Sequence, residues 1–162
     1  VGGEEICKMY TRLFGLKTVI FRYFNVYGKR QPTKGQYAPV IGLFKKQKNN
    51  GEPMTVVGDG LQTRDYTNVS DVVNALILTA KNTNSYGETM NICSGKGTEL
   101  KQLATAVNTS MNTKAKIVLG AIPYRDNEVW EMIGDQSKIK NSIGFEPKIT
   151  IEKGIEIVIN NS

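Results

Sequence analysis

Arg64 is a candidate for phosphate binding. Its planar guanidinium can offer two parallel N–H groups to one anion, and it follows a turn at residues 58–60 that contains two glycines. The alternative is an ion pair between Arg64 and Asp65 or Asp71, because surface ion pairs are common and contribute little energy. Residue chemistry alone favours that alternative.

Arg125 is a second candidate for phosphate binding. It lies in residues 123–130, where Glu128 could accept hydrogen bonds from sugar hydroxyls and Trp130 is the only tryptophan of the chain. The alternative is a polar surface loop in which Trp130 anchors the segment to the core. Spacing alone leaves both interpretations of Arg125 open.

A third cluster occupies residues 22–28, directly after a short apolar run. Ligands of open α/β sheets gather at the carboxyl ends of the strands, which would place Tyr23, Phe24 and Asn25 near a ligand. They could equally be two core aromatics and an asparagine that caps a turn.

The segments between these clusters alternate between helical and strand patterns. Helices are predicted near residues 6–14, 40–50, 69–80, 98–107, 136–143 and from 151 onward, and strands at 18–21, 54–57, 90–93 and 116–119. Pro39, Thr98 and Thr150 are predicted helix starts, and Gly15 and Gly144 are predicted helix ends. The run at 18–21 is typical of a parallel strand buried on both faces. This alternation predicts an α/β fold.

Composition excludes several classes of function. With 40% hydrophobic and 22% charged residues, the 162-residue chain is of ordinary globular composition, and no apolar run approaches the roughly 20 residues of a membrane helix. The sequence has no histidine, which removes His-based triads and His metal sites. Cys7 and Cys93 have no metal-binding spacing and suggest no disulfide framework. We therefore expect no metal site, no signal peptide and a cytoplasmic location.

The net charge is +6, and six cations fall within residues 29–48 without an acidic neighbour. Such a run favours a solvated loop and helix face, with attraction of a phosphorylated small molecule as the functional alternative. Nucleic acid is a weaker candidate, because no recognisable binding-module signature is present.

Together the clusters resemble the C-terminal half of the nucleotide-sugar epimerases and dehydratases, in the extended short-chain dehydrogenase/reductase family. The matching motifs are RYFNVYGKRQ at residues 22–31, VVGDGLQTRDYTNVSDVV at 56–73 and RDNEV at 125–129. The likeness extends to NICSGKGTELKQLA at 91–104 and GFEPKITIEKGIE at 144–156, so it covers nearly the whole chain. It is greatest for the members that epimerise UDP-glucose.

The resemblance implies the last strands and helices of a Rossmann sheet, interleaved with a small α/β substrate-binding domain. Residues 1–28 and 64–93 would contribute to the Rossmann core, and residues 29–63 and 94–162 would bind substrate. In the family, NAD binds to an N-terminal half, and a catalytic Tyr-x-x-x-Lys pair closely precedes a Gly-Glu that Gly3 and Glu4 match. The printed sequence contains no such pair and no glycine-rich dinucleotide turn. We therefore expect the catalytic pair upstream of Val1.

The resemblance also implies residues that hold the nucleotide. Arg64 and Arg125 match two arginines that bind the diphosphate, and Asn25 matches an asparagine that contacts it. Glu128 matches an acidic position near the ribose hydroxyls. Val57 lies in the strand whose backbone runs beside the uracil.

Two further positions concern the cofactor and the sugar. Tyr23 matches an aromatic residue near the nicotinamide of NAD. Met132 matches a position that lines the hexose pocket, where a bulky residue disfavours N-acetylated sugars. Ordinary core filling is an equally good interpretation of Met132, because methionine packs irregular gaps.

The activity implied by the resemblance is NAD-dependent interconversion of UDP-glucose and UDP-galactose by transient oxidation at C4. The complete enzyme would be a homodimer that binds a UDP-sugar and neither nucleic acid nor membrane. Without the catalytic pair, these residues should be inactive alone. The alternatives are a dehydratase or decarboxylase half of the same family, and a non-catalytic nucleotide-binding module.

Overall fold

The computed structural model describes residues 2–32 and 39–160, which alternate between helix and strand. The helices are α1 (Gly2–Phe14), α2 (Val40–Asn49), α3 (Val69–Ala80), α4 (Leu100–Ser110), α5 (Ser137–Ile143) and α6 (Ile151–Asn160). The strands are β1 (Ile20–Tyr23), β2 (Val26–Tyr27), β3 (Met54–Val57), β4 (Thr63–Asp65), β5 (Thr67–Asn68), β6 (Thr89–Ile92), β7 (Gly97–Glu99), β8 (Ile117–Ile122) and β9 (Glu131–Met132). A short 3-10 helix spans Thr83–Ser85. The predicted α/β class is confirmed.

Parallel pairing dominates the sheets. Strand β1 pairs with β6, β2 with β5 and β3 with β8, each in parallel. Strand β4 is the centre of a mixed sheet, with β7 antiparallel on one side and β9 parallel on the other. Because β4 contains Arg64, this sheet brings distant parts of the chain to the first candidate residue.

Two buried apolar clusters hold the elements together. One joins α2, α4 and α6 to β3, and Phe44, Leu103 and Ile155 are among its fully buried side chains. The other joins α3, α5 and β6, with Ile92 and Phe145 fully buried. Full burial of such a side chain contributes about 1.5–3 kcal/mol, so the clusters give the strands that carry the site a rigid support.

Several predicted helix starts and ends are confirmed. Helix α2 begins directly after Pro39, and Gly15, directly after α1, has a positive φ of 65°. Gly144 ends α5 in the left-handed conformation, with φ of 67°, where glycine avoids the penalty of a β-carbon. At the start of α6, the Thr150 hydroxyl oxygen accepts a hydrogen bond from the amide of Lys153 at 3.4 Å.

The predicted start of α4 is wrong by one residue. Glu99, not Thr98, is the N-cap, and it forms a reciprocal capping box with Gln102. The amide of Glu99 donates to Oε1 of Gln102 at 3.2 Å. Thr98 instead lies in β7 opposite Arg64, because strand pairing with β4 extends the backbone there.

The strand predicted at 18–21 lies two residues further along as β1, and Thr18 to Phe21 are half-buried in this chain. Strand β1 begins at Ile20, and Arg22 and Tyr23 are exposed. Arg22 forms a forked contact with Glu4 of α1, through Nε to Oε1 at 2.9 Å and Nη2 to Oε2 at 2.6 Å. An apolar run reports local hydrophobicity, whereas burial also needs a packed layer on each face. Within the described residues, β1 pairs only with β6.

Other sequence expectations can be placed on the fold. Cys7 and Cys93 are both free. In the described parts of the chain, no helix has both the length and the apolar character needed to cross a bilayer. Of the basic run, Lys34 lies outside the described residues, whereas the Lys45 ammonium donates to the Val158 carbonyl of α6 at 3.1 Å. Part of that run is therefore a structural contact.

Candidate functional site

Strand β4 places Arg64 at the centre of the mixed sheet. In its register Arg64 lies opposite Met132 of β9 and opposite Thr98 of β7. Met132 is 68 positions further along the chain, so only strand pairing makes it a neighbour of Arg64. Met132 is 40% exposed in this chain.

Arg64 forms its ion pair with Glu128, and the predicted partners Asp65 and Asp71 are wrong. Nη2 of Arg64 lies 2.7 Å from Oε1 of Glu128, and both side chains are largely buried. Nη1 donates to the carbonyl of Thr63 at 2.9 Å. These bonds use two of the five N–H groups of a guanidinium, so three N–H groups remain for an anion.

Asp65 is directed to the opposite side of β4, because successive side chains of a strand alternate between its two faces. Its fully buried carboxylate accepts hydrogen bonds from the amides of Ser94 (2.8 Å), Gly95 (2.9 Å) and Gly134 (3.2 Å), and from the Ser94 hydroxyl (2.6 Å). Asp65 therefore ties β4 to the segments that follow β6 and β9. Sequence reasoning considered Asp65 only as a partner of Arg64, and alternation along a predicted strand could have separated the two.

Asp71 also binds backbone amides instead of an arginine. Its buried carboxylate, in the first turn of α3, accepts from the amides of Lys148 and Ile149, each at 3.1 Å. It thus joins α3 to the segment that leads into α6.

Asn25 lies beside β4. Its side-chain amide donates to the carbonyl of Asp65 at 2.7 Å, and its own carbonyl accepts from the amide of Thr67 at 3.4 Å. Its φ is 32°, a conformation that asparagine tolerates better than most residues. The turn after β1 therefore reaches the same strand as Arg64.

Arg125 lies in a surface loop whose end joins the mixed sheet. Its carbonyl accepts a hydrogen bond from the amide of Glu128 at 3.2 Å, and its side chain is exposed. Trp130 is 56% exposed in this chain. Its carbonyl accepts from the amide of Thr63 at 2.8 Å, which fixes this end of the loop to β4.

Val57 and Tyr23 lie at the carboxyl ends of two other strands. Val57 ends β3, pairs with Ile122 of β8 and leads directly into the turn at Gly58. Tyr23 ends β1 and is 53% exposed in this chain. The described contacts join Asn25, Glu128 and Met132 to the surroundings of Arg64, and they do not join Tyr23 to it.

Protonation near the site follows from burial. Burial raises the pKa of Tyr66, directly after Asp65, to about 12, and Arg64 opposes that shift. Burial also raises the pKa of the Cys93 thiol to about 11. Both groups therefore stay neutral at pH 7. The residues around β4 can bind an anion through guanidinium groups, and Glu128 is the nearby hydrogen-bond acceptor.

Comparison with known proteins gives a consistent result. The profile of the family described as GDP-mannose 4,6 dehydratase matches residues 1–158. The UDP-N-acetyl-alpha-D-glucosaminuronate decarboxylase of Bacillus cytotoxicus is 34% identical over 160 residues, which are 96% of this chain and 49% of the decarboxylase.

Solved structures are similar over the same part of the chain. The UDP-glucose 4-epimerase of Thermotoga maritima, solved with UDP-glucose, has a TM-score of 0.88 at 34% identity over 96% of this chain and 49% of its own. The UDP-glucuronic acid 4-epimerase of Bacillus cereus, in complex with UDP-glucuronic acid and NAD, has a TM-score of 0.85 at 26% identity over 98% of this chain and 49% of its own. The chain thus spans about half the length of these relatives.

Proposed function

Because the chain belongs to the family of nucleotide-sugar epimerases and dehydratases, we propose that it is the substrate-binding half of an NAD-dependent 4-epimerase of UDP-glucose and UDP-galactose. The observation that carries this proposal is the convergence on β4 of Arg64, Glu128, Met132 and Asn25. Asn25, Arg64 and Glu128 come from three separate sequence motifs, and Met132 lies three positions beyond the third. Their meeting is what a site for one nucleotide-sugar requires.

In this proposal the arginines hold the diphosphate. A diphosphate carries about two negative charges, and the forks of Arg64 and Arg125 can share them. Arg64 is already oriented by Glu128 and by the Thr63 carbonyl, so little side-chain entropy remains to be lost on binding. Asn25 contacts the diphosphate, Glu128 accepts from the ribose hydroxyls, and the backbone at Val57 lies beside the base.

The cofactor of the proposed enzyme is NAD, which supplies the hydride acceptor for oxidation at C4 when bound. Of the described residues, Tyr23 fits its nicotinamide end, because its ring is exposed at the carboxyl end of a parallel strand. The printed sequence contains no glycine-rich dinucleotide turn and no Tyr-x-x-x-Lys pair. We therefore assign to these residues the binding and orientation of substrate, not proton transfer.

Binding of UDP tests the proposal. We expect UDP to bind the chain, and Arg64→Ala and Arg125→Ala each to weaken binding about tenfold or more, because loss of a charge-assisted hydrogen bond costs about 1.5–3 kcal/mol. Isothermal titration calorimetry measures the affinity, and Arg12→Ala on the exposed face of α1 is the matched control. Wild-type affinity in both site variants would refute the arginine assignments.

A turnover assay tests the assignment of catalysis to residues outside these 162. The purified chain is incubated with NAD and either UDP-glucose or UDP-galactose, and the products are separated by chromatography. We expect no interconversion above background, and measurable turnover would contradict the proposal.

Decarboxylation is the second candidate. The Bacillus cytotoxicus decarboxylase and the Thermotoga maritima epimerase are both 34% identical to this chain. A half that only binds and orients the nucleotide would serve either reaction. Two substrates given to the complete enzyme separate the candidates: release of carbon dioxide from UDP-glucuronic acid favours the decarboxylase, and formation of UDP-galactose from UDP-glucose favours the epimerase.

A further inference from the structure

The loop that carries Arg125 is fastened at its start by Tyr124. The Tyr124 hydroxyl donates to the carboxylate of Asp59 and accepts from the amide of Asp59 at 3.0 Å. The same carboxylate accepts from the amide of Leu61 at 2.9 Å, so the turn after β3 is already folded to receive the phenol. Tyr124 thus makes a two-way hydrogen-bonded contact across 65 positions of sequence.

Glycine at position 58 makes room for the Tyr124 ring. A β-carbon built on Gly58 would overlap the ring, and the φ of Gly58 is 52°. Both the left-handed backbone and the close approach of the ring therefore require glycine here. The turn and the tyrosine are complementary in shape as well as in hydrogen bonding.

Trp130 completes the arrangement at the other end of the loop. Its ring centroid lies 4.8 Å from that of Tyr124, with the planes inclined by 54°, which is within the range of favourable aromatic pairs. The Trp130 carbonyl is bound to Thr63. The intervening residues 125–129, which include Arg125 and Glu128, are therefore held at both ends.

We propose that Tyr124 is a positioning residue, which fastens residues 123–130 to the turn at Gly58 and Asp59 and thereby orients Arg125 and Glu128 for the diphosphate. This inference rests on the proposed function. Tyr124 acts through the loop, and its hydroxyl is already engaged by Asp59, so it makes no direct bond to the nucleotide. Exact placement matters because a guanidinium fork binds phosphate only in a narrow geometry.

The test removes only the hydroxyl. Tyr124→Phe keeps the ring over Gly58 and beside Trp130, and Asp59→Ala removes the carboxylate that accepts from the hydroxyl but keeps the amide of residue 59. We expect each variant to bind UDP about three- to tenfold more weakly, the range for one lost hydrogen bond. The double variant should lose less than the sum of the two single variants, because both single variants remove the same hydroxyl–carboxylate bond.

Trp130, the only tryptophan, reports the position of the loop directly. We expect its fluorescence anisotropy to fall in Tyr124→Phe and in Asp59→Ala without ligand, as the loop gains freedom. Tyr10→Phe, an exposed tyrosine on α1, should leave both anisotropy and UDP affinity unchanged. Unchanged melting temperatures would confirm that the variants remain folded.

The remaining outcomes test separate parts of the proposal. Weaker UDP binding with unchanged anisotropy would mean that the hydroxyl touches the nucleotide, which overturns a positioning role. Lower anisotropy with unchanged UDP affinity would overturn the link between loop and ligand. If the wild-type chain takes up no UDP, the proposed function fails. In that case, lower anisotropy in both variants would still support the fastening of the loop by Tyr124, and unchanged anisotropy would refute it.

Discussion

Replacing Asp65 by asparagine should destabilise the fold more than any exposed charge change. The fully buried carboxylate accepts five hydrogen bonds, three at Oδ1 from Ser94 and Thr67 and two at Oδ2 from Gly95 and Gly134. Asparagine is nearly isosteric, but its NH₂ group must face at least one of the backbone N–H groups that the carboxylate accepts. A donor then faces a donor, and the buried N–H loses its partner.

The magnitude follows from the bonds that are lost. A hydrogen bond to a charged group contributes about 1.5–3 kcal/mol, and a stranded buried donor costs about 1–3 kcal/mol. We therefore expect Asp65→Asn to lower the free energy of unfolding by about 3–5 kcal/mol. For a chain of this size that corresponds to a fall in melting temperature of roughly 6–20 °C.

Urea denaturation followed by circular dichroism measures this change. The matched control is Asp126→Asn, which removes the same charge from an exposed residue and should shift the free energy of unfolding by less than about 0.5 kcal/mol. A loss below about 1 kcal/mol in Asp65→Asn, with an unchanged denaturant slope, would refute the claim that this carboxylate holds the three segments together.

Two further predictions concern sugar size and pH. In the complete enzyme, Met132→Ser should raise kcat/KM for UDP-N-acetylglucosamine relative to UDP-glucose, because a smaller side chain beside Arg64 leaves room for the N-acetyl group. An unchanged ratio of the two kcat/KM values, with normal folding, would show that Met132 does not line the sugar pocket. The Tyr124 hydroxyl first, and the Leu61 amide second, lower the pKa of Asp59, and Lys101 acts in the same direction. The stabilisation from Asp59 is therefore present above its unfolded pKa and is lost as pH falls through the lower folded value. A carbon-detected NMR titration should show a higher pKa of Asp59 in Tyr124→Phe than in wild type, and equal values would contradict the hydrogen bond.

Local pattern was sufficient for most of the helices and for the class of fold. Helix α3 begins and ends where its apolar periodicity predicts, and α5 ends at Gly144 because a left-handed residue there needs no β-carbon. Such features depend on residues within a few positions of one another. The short strands β4, β7 and β9 were not predicted, because two or three residues carry no periodicity that distinguishes a strand from a turn.

The sequence by itself determined the motifs, the family they resemble and the identity of Arg64 and Arg125 as candidates, because these depend on residue type and order. Only the tertiary structure decided which groups meet. Pairing of β4 with β9 places Met132 beside Arg64, and a long-range ion pair gives Arg64 the partner Glu128 in place of its sequence neighbour Asp65. Because successive side chains alternate along β4, Asp65 lies on the other face, where backbone amides donate hydrogen bonds to its carboxylate. The fastening of Tyr124 to Asp59 likewise joins residues 65 positions apart, and no local spacing encodes such a contact.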